Sequence, residues 1–445
     1  MKNAPSSTIF ALASAPGRAG VAVFRFSGPG AGQALKELCR PAEMPEPRTA
    51  AVRAIVDPRT NETIDRGLAL WFPAPHSFTG EDVAELHLHG GRAILNAVIE
   101  SARALPDCRM AEPGEFTRRA FEHGKMDLTE AEAIADLVDA ETAAQRRQAL
   151  RQLDGELGGL YRGWAEKLKH CLAHIEADID FSDEDLPPGI VEQRHNDIQT
   201  VIDGLKAHLD DRHRGERLRE GFTVAILGPP NAGKSSLLNA LARREAAIVD
   251  PTPGTTRDVI EVHLDLGGYP VTLADTAGLR ESADAVESEG VRRALARAEH
   301  ADFKILVFDG AKWPALDEKT QELKDENALT LVNKKDLIPP DVPSAPDVLF
   351  VSALTGEGLK ELAKRLIHAI DMRFTAAGQP SLTRARHRAA LEECLEHLKR
   401  ARYAPETELC AEDMRLAVRA LGRITGHVDV EDVLDVIFRD FCIGK

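Results

Sequence analysis

The sequence predicts a multidomain protein: an α+β N-terminal domain, a helical domain, and an α/β domain inserted into the helical one. At 445 residues the chain exceeds the size at which a single core keeps growing. Short apolar runs alternate with Gly- and Pro-rich turns up to residue 120, and strand-like runs alternate with helical patterns between 222 and 372. Helix-rich sequence flanks this second region. We therefore predict domains at 1–120, 121–219, 220–376 and 377–445, the second and fourth forming one helical domain.

A phosphate-binding loop follows the apolar run at 223–227. Residues 228–235 read Gly-Pro-Pro-Asn-Ala-Gly-Lys-Ser, which is the G-x-x-x-x-G-K-[ST] spacing. Backbone N–H groups of such a loop cradle phosphates at a helix N-terminus, while Lys234 reaches the terminal phosphates and Ser235 ligates Mg²⁺. The predicted phosphate contacts are Asn231, Ala232, Gly233, Lys234, Ser235 and Ser236.

The base is indicated by Asn333-Lys334-Lys335-Asp336, which follows the apolar run at 329–332. An Asp carboxylate can accept hydrogen bonds from N1–H and the 2-amino group of guanine, which adenine lacks. The segment Ser352-Ala353-Leu354 resembles the loop that backs the guanine in GTPases. We therefore expect GTP, with base contacts from Asn333, Lys334, Asp336, Ser352, Ala353 and Leu354.

Two further segments bear on hydrolysis. Asp275-Thr276-Ala277-Gly278 resembles the segment that positions Mg²⁺ and senses the γ-phosphate, but Leu279 follows where Ras-like enzymes carry a water-orienting glutamine. Asn231 and the segment 250–256 are similar to GTPases that hold K⁺ against the phosphates, where the cation neutralises developing charge. The alternative for Asn231 is a helix cap. The expected K⁺ ligands are Asn231, Asp250, Thr252 and Thr255. The same loop is expected to contact the nucleotide through Pro251, Pro253 and Gly254 as well. Thr256 is expected to be the second Mg²⁺ ligand.

Motifs outside this domain identify the family. They are Arg25 within 21–28, Ser77-Phe78-Thr79-Gly80-Glu81-Asp82, Glu85 at the start of 85–91, Pro113-Gly114-Glu115-Phe116-Thr117, Lys125 within 124–128, and Cys442-Ile443-Gly444-Lys445. In this order, together with the GTPase motifs, they resemble the MnmE (TrmE) family of tRNA modification GTPases, of the TrmE-Era-like superfamily, from end to end.

That resemblance implies a function. Family members bind a one-carbon tetrahydrofolate (5-formyl- or 5,10-methylene-tetrahydrofolate) in the N-terminal domain and dimerise through it. They form a heterotetramer with the FAD-dependent partner MnmG (GidA), and add an aminomethyl or carboxymethylaminomethyl group to carbon 5 of the wobble uridine in certain tRNAs.

Individual residues take roles from the same resemblance. The folate-binding positions carry over to Arg25, Glu85, Lys125 and Lys445, with a structural ion pair as the alternative for the first two. Glu287 matches the water-orienting glutamate that acts when two GTPase domains meet. Cys442 is expected in or beside the modification chemistry, with a structural thiol as the alternative.

Composition and charge bear on nucleic-acid binding, on cellular location and on membrane insertion. A net charge of −16 argues against a surface-wide nucleic-acid platform, and the basic residues between 384 and 402 are interpreted as a solvated helix face. Six cysteines without a C-x-x-C pair favour a reducing cytoplasm, and the absence of an apolar run approaching ~20 residues predicts no membrane span.

The alternative function is an Era/Der-like ribosome-assembly GTPase that binds rRNA, although no RNA-binding module is evident after residue 378. A scaffold with incidental GTP turnover is a third possibility.

Overall fold

The computed structural model describes residues 7–180, 190–211, 213–244, 246–247, 261–275, 301–339, 345–374, 380–428, 431–439 and 441–444. Contacts divide the chain into two compact units. Unit 1 comprises Met1–Ala135, Gly158–His170 and Met414–Lys445, and unit 2 comprises Asp136–Leu157 and Cys171–Asp413.

Unit 1 is built on a seven-stranded sheet. The strands are β1 (Thr8–Leu12), β2 (Ala22–Ser27), β3 (Cys39–Arg40), β4 (Ala51–Val56), β5 (Thr63–Phe72), β6 (Val83–Leu88) and β7 (Cys108–Met110), in the order β3-β4-β5-β6-β2-β1-β7. All pairs are antiparallel except β1 with β7. Alternate residues of β1, β2 and β6 pack with α1 (Ala31–Leu38) and α2 (Arg92–Arg103) in one buried cluster. The predicted α+β class of the N-terminal domain is confirmed.

A smaller helical core completes unit 1. It joins α3 (Glu115–Glu122), the start of α4 (Leu128–Asp139) and α14 (Glu431–Arg439) through Leu128, Phe438 and Phe441. The segment after α14 then runs along the sheet: Ile443 forms a β-bridge with Pro113. Gly444 has φ +105°, and a Cβ there would lie 2.3 Å from the carbonyl oxygen of Leu12. Only glycine therefore fits this approach.

The core of unit 2 is a second seven-stranded sheet. Its strands are β8 (Phe222–Leu227), β9 (Ala246–Ala247), β10 (Glu261–Leu266), β11 (Tyr269–Asp275), β12 (Phe303–Asp309), β13 (Ala328–Asn333) and β14 (Val348–Phe350), in the order β14-β13-β12-β8-β11-β10-β9. The five strands from β14 to β11 are parallel, and their near-continuous apolar runs are typical of strands buried on both faces. The flanking helices are α9 (Lys234–Arg244), α10 (Glu318–Gln321) and α11 (Leu359–Phe374). This is the expected doubly wound sheet.

The remaining helices are α5 (Ala143–Leu153), α6 (Glu156–Asp180), α7 (Ile190–Leu209), α8 (Arg214–Glu220), α12 (Ala385–Tyr403) and α13 (Thr407–Thr425). The helix-rich sequence before β8 does not form one continuous helix, since it is interrupted twice between α4 and α6. Thr142 starts α5 with a capping box, in which it and Gln145 exchange side-chain-to-backbone hydrogen bonds. Gly155, at φ +83°, separates α5 from α6.

Within the described ranges, no helix is long and apolar enough to cross a membrane.

Candidate GTPase site

The phosphate loop begins where β8 ends. A Cβ at Gly228 would lie 2.2 Å from the carbonyl oxygen of Val307, so only glycine allows β8 to pass β12 so closely. Asn231 adopts the left-handed conformation with φ +64°, and it is exposed. The buried Lys234 donates from Nζ to the carbonyl oxygens of Gly228 and Pro229, at 2.8 and 3.0 Å. These contacts hold the ammonium group over the loop.

Asn333 connects the phosphate loop to the loop after β14. Its side chain is 1% exposed, and Nδ2 donates to the carbonyl oxygens of Ala232 at 3.0 Å and Gly233 at 3.3 Å. Its Oδ1 accepts the N–H of Ala353 at 3.1 Å. A Cβ at Gly233 would lie 2.3 Å from Asn333 Nδ2. The structure thus uses the Asn333 side chain to fasten two nucleotide-facing loops together, whereas the sequence suggested only a base contact.

The guanine-recognition residues lie on the loops after β13 and β14. Ser352 Oγ donates to Asp336 Oδ1 at 2.5 Å, while Leu354 is 86% exposed at the rim. Lys334 has φ +61°, and its Nζ donates to Asp309 Oδ2 at 2.7 Å. Partial burial alone would raise the pKa of Asp309, but Lys334 and the N–H of Ala311 together hold that pKa below its ordinary value. The sequence analysis missed Asp309, although a carboxylate at the end of a parallel strand was a usable signal.

Residues of two types that can ligate Mg²⁺ follow strands that end at the same edge of the sheet. Asp275 ends β11 and is the parallel partner of Ile226, two residues before Gly228, and Ser235 lies in the first turn of α9 with Ser236. A carboxylate and a hydroxyl are ligands that Mg²⁺ prefers. The other predicted contacts, at 250–256 and 276–278, and the proposed water-orienting Glu287 lie outside the described residues.

A second group of predicted site residues is in unit 1. Arg25 and Glu85 are direct cross-strand partners, and Arg25 Nε lies 2.9 Å from Glu85 Oε1. The guanidinium also lies over the rings of Phe78 and Phe116, 5.3 and 5.8 Å from their centroids. His87 Nε2 is 3.2 Å from Glu85 Oε2. The ion pair anticipated as an alternative is therefore present, but both side chains remain partly accessible, at 22% and 16%.

Lys125 and Cys442 lie on segments next to these two phenylalanines. Lys125 Nζ donates to the carbonyl oxygen of Pro75 at 3.0 Å, at the start of the loop that carries Phe78. The exposed Cys442 accepts the N–H of Gly114 at its carbonyl oxygen, at 3.5 Å, two residues before Phe116. Lys125 and Cys442 thus contact the segments that lead to the two phenylalanines over Arg25. Lys445 lies outside the described residues.

The G-x-x-x-x-G-K-S loop follows β8, and Asn333 and Asp336 lie at and just after the end of β13, two strands away among the parallel strands of the same sheet; together they define a P-loop GTPase. Residues 8–125 match the family model described as the GTP-binding protein TrmE N-terminus, and residues 128–442 match that of the MnmE helical domain. The chain belongs to the MnmE family of tRNA modification GTPases.

Full-length relatives agree with this assignment. The chain is 57% identical over 443 residues to the tRNA modification GTPase MnmE of Paramagnetospirillum magneticum, covering 99% of this chain and 100% of that one. It is 56% identical over 453 residues to MnmE of Rhodospirillum rubrum, covering 98% and 99%. It is 48% identical over 467 residues to the human mitochondrial 5-taurinomethyluridine-[tRNA] synthase subunit GTPB3, covering 99% and 94%.

Family and fold together make the protein a GTP hydrolase involved in tRNA modification. They do not support the alternative of an Era/Der-like ribosome-assembly switch, because both the N-terminal and the helical family models match.

Proposed function

We propose that this protein is a K⁺-dependent GTP hydrolase that acts with an FAD-dependent MnmG partner on the wobble uridine of certain tRNAs. The product carries an aminomethyl or carboxymethylaminomethyl group at carbon 5. The observation that carries the proposal is the contact of Arg25 with Glu85, Phe78 and Phe116, together with the bridge of Ile443 to Pro113, three residues before Phe116. In a family that modifies tRNA, this group of residues is the candidate for the chemical step, distinct from the GTPase site.

A one-carbon tetrahydrofolate suits the donors around Arg25. When bound, it would supply the carbon that becomes the methylene of the added group. Arg25 uses only Nε on Glu85, and its two terminal nitrogens donate to nothing in the described part of the chain, so they remain available to a ligand. The carboxylate of Glu85 can accept N–H donors of a pterin ring, and Phe78 and Phe116 exclude water from one side of the guanidinium. Lys125 and Lys445 supply positive charge for the glutamate carboxylates of the ligand.

The GTPase site would bind nucleotide as its residues suggest. Lys234 would hold the terminal phosphates, Ser235 and Thr256 would hold Mg²⁺ with Asp275 in the segment that positions it, and Asp336 would pair with guanine. For K⁺, Asn231 is the described ligand candidate: it is exposed, and its side chain makes no hydrogen bond to the described residues. Asp250, Thr252 and Thr255 complete the proposed set. The cation would offset charge developing on the phosphates, and Glu287 would orient the water.

The assembly proposed for this chemistry is a homodimer through the N-terminal domain, joined by MnmG in a heterotetramer and located in the cytoplasm. The family relationship supports these partners.

The test is nucleoside mass analysis of tRNA from cells that lack this chain. Wild-type protein should restore the carbon-5-substituted wobble uridine, and Glu85→Gln should not, because Gln cannot offer a charged acceptor. The matched control is Glu62→Gln, at an exposed turn of the same sheet. Unmodified wobble uridine in cells carrying the wild-type protein would contradict the proposed function. Full modification by the Glu85 variant would contradict the folate assignment alone.

A further inference from the structure

Asp136, near the end of α4, joins the two connections between the GTPase domain and the helices of unit 2. Its Oδ1 accepts hydrogen bonds from Arg219 Nε at 2.9 Å and from Arg384 Nη2 at 2.7 Å. Arg219 lies on α8, just before β8 begins at Phe222, and Arg384 is the N-cap of α12, the first helix after the GTPase domain. One carboxylate oxygen therefore contacts both the entry to the inserted domain and the exit from it.

The entry and the exit are also in direct contact with each other. Arg214 donates from Nε and Nη2 to Ser381 Oγ, at 3.1 and 3.0 Å. A Cβ at Gly215 would lie 2.2 Å from the carbonyl oxygen of Leu382, so the two segments touch through their backbones. Any movement of the inserted domain that displaces one connection must displace the other.

Neighbouring α5 fastens the same connections through uncharged groups. Gln145 Nε2 donates to the carbonyl oxygen of Arg219 at 3.1 Å, Gln148 Nε2 donates to that of Gly215 at 3.0 Å, and Thr383 Oγ1 donates to Gln152 Oε1 at 2.9 Å. These bonds hold the entry or the exit singly. Asp136 bears a charge and contacts both connections through one oxygen.

Burial makes this charge more consequential than that of a surface ion pair. The Asp136 side chain is 13% exposed and that of Arg384 is 15% exposed, whereas Arg219 is 35% exposed. A partly buried guanidinium that loses its counter-charge is penalised more than a solvated one. Separating either arginine from Asp136 therefore costs more free energy than breaking an exposed ion pair.

We propose that Asp136 is a positioning residue. It holds both connections of the GTPase domain against α4, and it thereby couples the GTPase cycle to tRNA modification. The nucleotide site itself does not need this contact, since Asp136 is not part of it. The inference requires that the protein modify tRNA in a GTP-dependent way, and it is independent of the folate and potassium assignments.

The test compares Asp136→Asn with Asp139→Asn, an identical change at an exposed residue three positions along the same helix. Purified variants are assayed for thermal midpoint, GTP affinity and GTP turnover, and cells carrying them are assayed for modified wobble uridine. Asp136→Asn should turn over GTP at nearly the wild-type rate but form roughly tenfold less modified nucleoside, a ratio in the usual range of coupling between sites. Asp139→Asn should match wild type in both assays.

Arg384→Gln provides a second test, because it removes one arginine that contacts Asp136 and leaves Asp136 in place. It should reproduce the uncoupling at least in part, and the double variant with Asp136→Asn should be no worse than Asp136→Asn alone, since the contact that Arg384→Gln removes is one of the two that Asp136 makes. Arg219→Gln, at the more exposed partner, replaces Asp136→Asn if that protein does not fold. Normal modification by Asp136→Asn, or an equal loss of turnover and modification, would overturn the proposal. If wild-type protein restores no modification, the proposed function itself fails.

Discussion

The hydroxyl of Ser352 donates to Asp336 across 2.5 Å, so the loop after β14 fixes the carboxylate that follows β13. Only Oδ1 is used in this bond. The acid is thereby oriented by a neighbouring loop before any base is bound, which lowers the cost of ordering it on binding.

Asp336→Asn should therefore weaken GTP binding by about tenfold or more, because guanine's two donors would lose a charged acceptor. Selectivity against other purine nucleotides should fall as well. Competition binding with GTP, ATP and ITP measures both effects. Ser352→Ala serves as the control, since it leaves the charge in place and should cost less. Unchanged selectivity in the Asn variant would count against guanine recognition by Asp336.

Gly233→Ala should damage nucleotide binding through Asn333. The added methyl would meet Asn333 Nδ2 at 2.3 Å, so the hydrogen bonds between the phosphate loop and the loop after β14 would break. Gly356→Ala is the matched control, because Gly356 also has a positive φ of +80° but no atom within 4 Å of its Cβ position. We expect GTP affinity to fall at least about tenfold for the first variant and to change little for the second. Similar losses in both would indicate backbone strain alone.

Replacing K⁺ by Na⁺ should slow GTP hydrolysis strongly at constant ionic strength. The smaller ion would not span the oxygens that Asn231 and the 250–256 segment are proposed to supply. Turnover is measured in matched chloride buffers, with Asn231→Ala as a variant that should lose the difference between the two salts. Equal wild-type rates in K⁺ and Na⁺ would reject the potassium site.

Glu287→Ala should reduce turnover by roughly 10²-fold while GTP affinity stays nearly constant, as expected for a group that positions water. Neighbouring Glu281→Ala is the control, because it removes an equal charge from the same segment. Single-turnover hydrolysis and equilibrium binding separate the two parameters. A near-normal rate for the Glu287 variant would show that Glu287 does not orient the attacking water.

Deleting residues 442–445 should abolish wobble-uridine modification and weaken binding of 5-formyl-tetrahydrofolate, because the Pro113–Ile443 bridge and the close contact of Gly444 with Leu12 would be lost. GTP hydrolysis should survive, since the nucleotide motifs lie between 228 and 354. Calorimetry with the folate and turnover assays on the same preparation provide the comparison. Full modification by the truncated protein would show that neither Cys442 nor Lys445 belongs to the site.

Local patterns predicted the fold classes because strands buried on both faces and glycine-bounded loops leave clear signals in sequence. Contacts between residues far apart in the sequence were harder to predict. The contact of Arg25 with Glu85 depends on the register of β2 against β6, and that of Lys334 with Asp309 depends on the order of strands. Arg384 was expected on a solvated helix face, but it is largely buried against Asp136. Sequence spacing carries no information about which distant acid a given arginine meets.

The close approach of Gly444 to Leu12 joins residues more than 400 positions apart in the sequence. The strands of the first sheet are complete in the nascent chain at Met110, but the segment that closes over β1 follows roughly 330 residues later. At synthesis rates of about 5 to 20 residues per second this is a delay on the order of 20 to 60 s. During that interval the end of β1 lacks the segment that packs against Leu12. A chain whose synthesis stops inside the GTPase domain would contain every strand of this sheet without that segment.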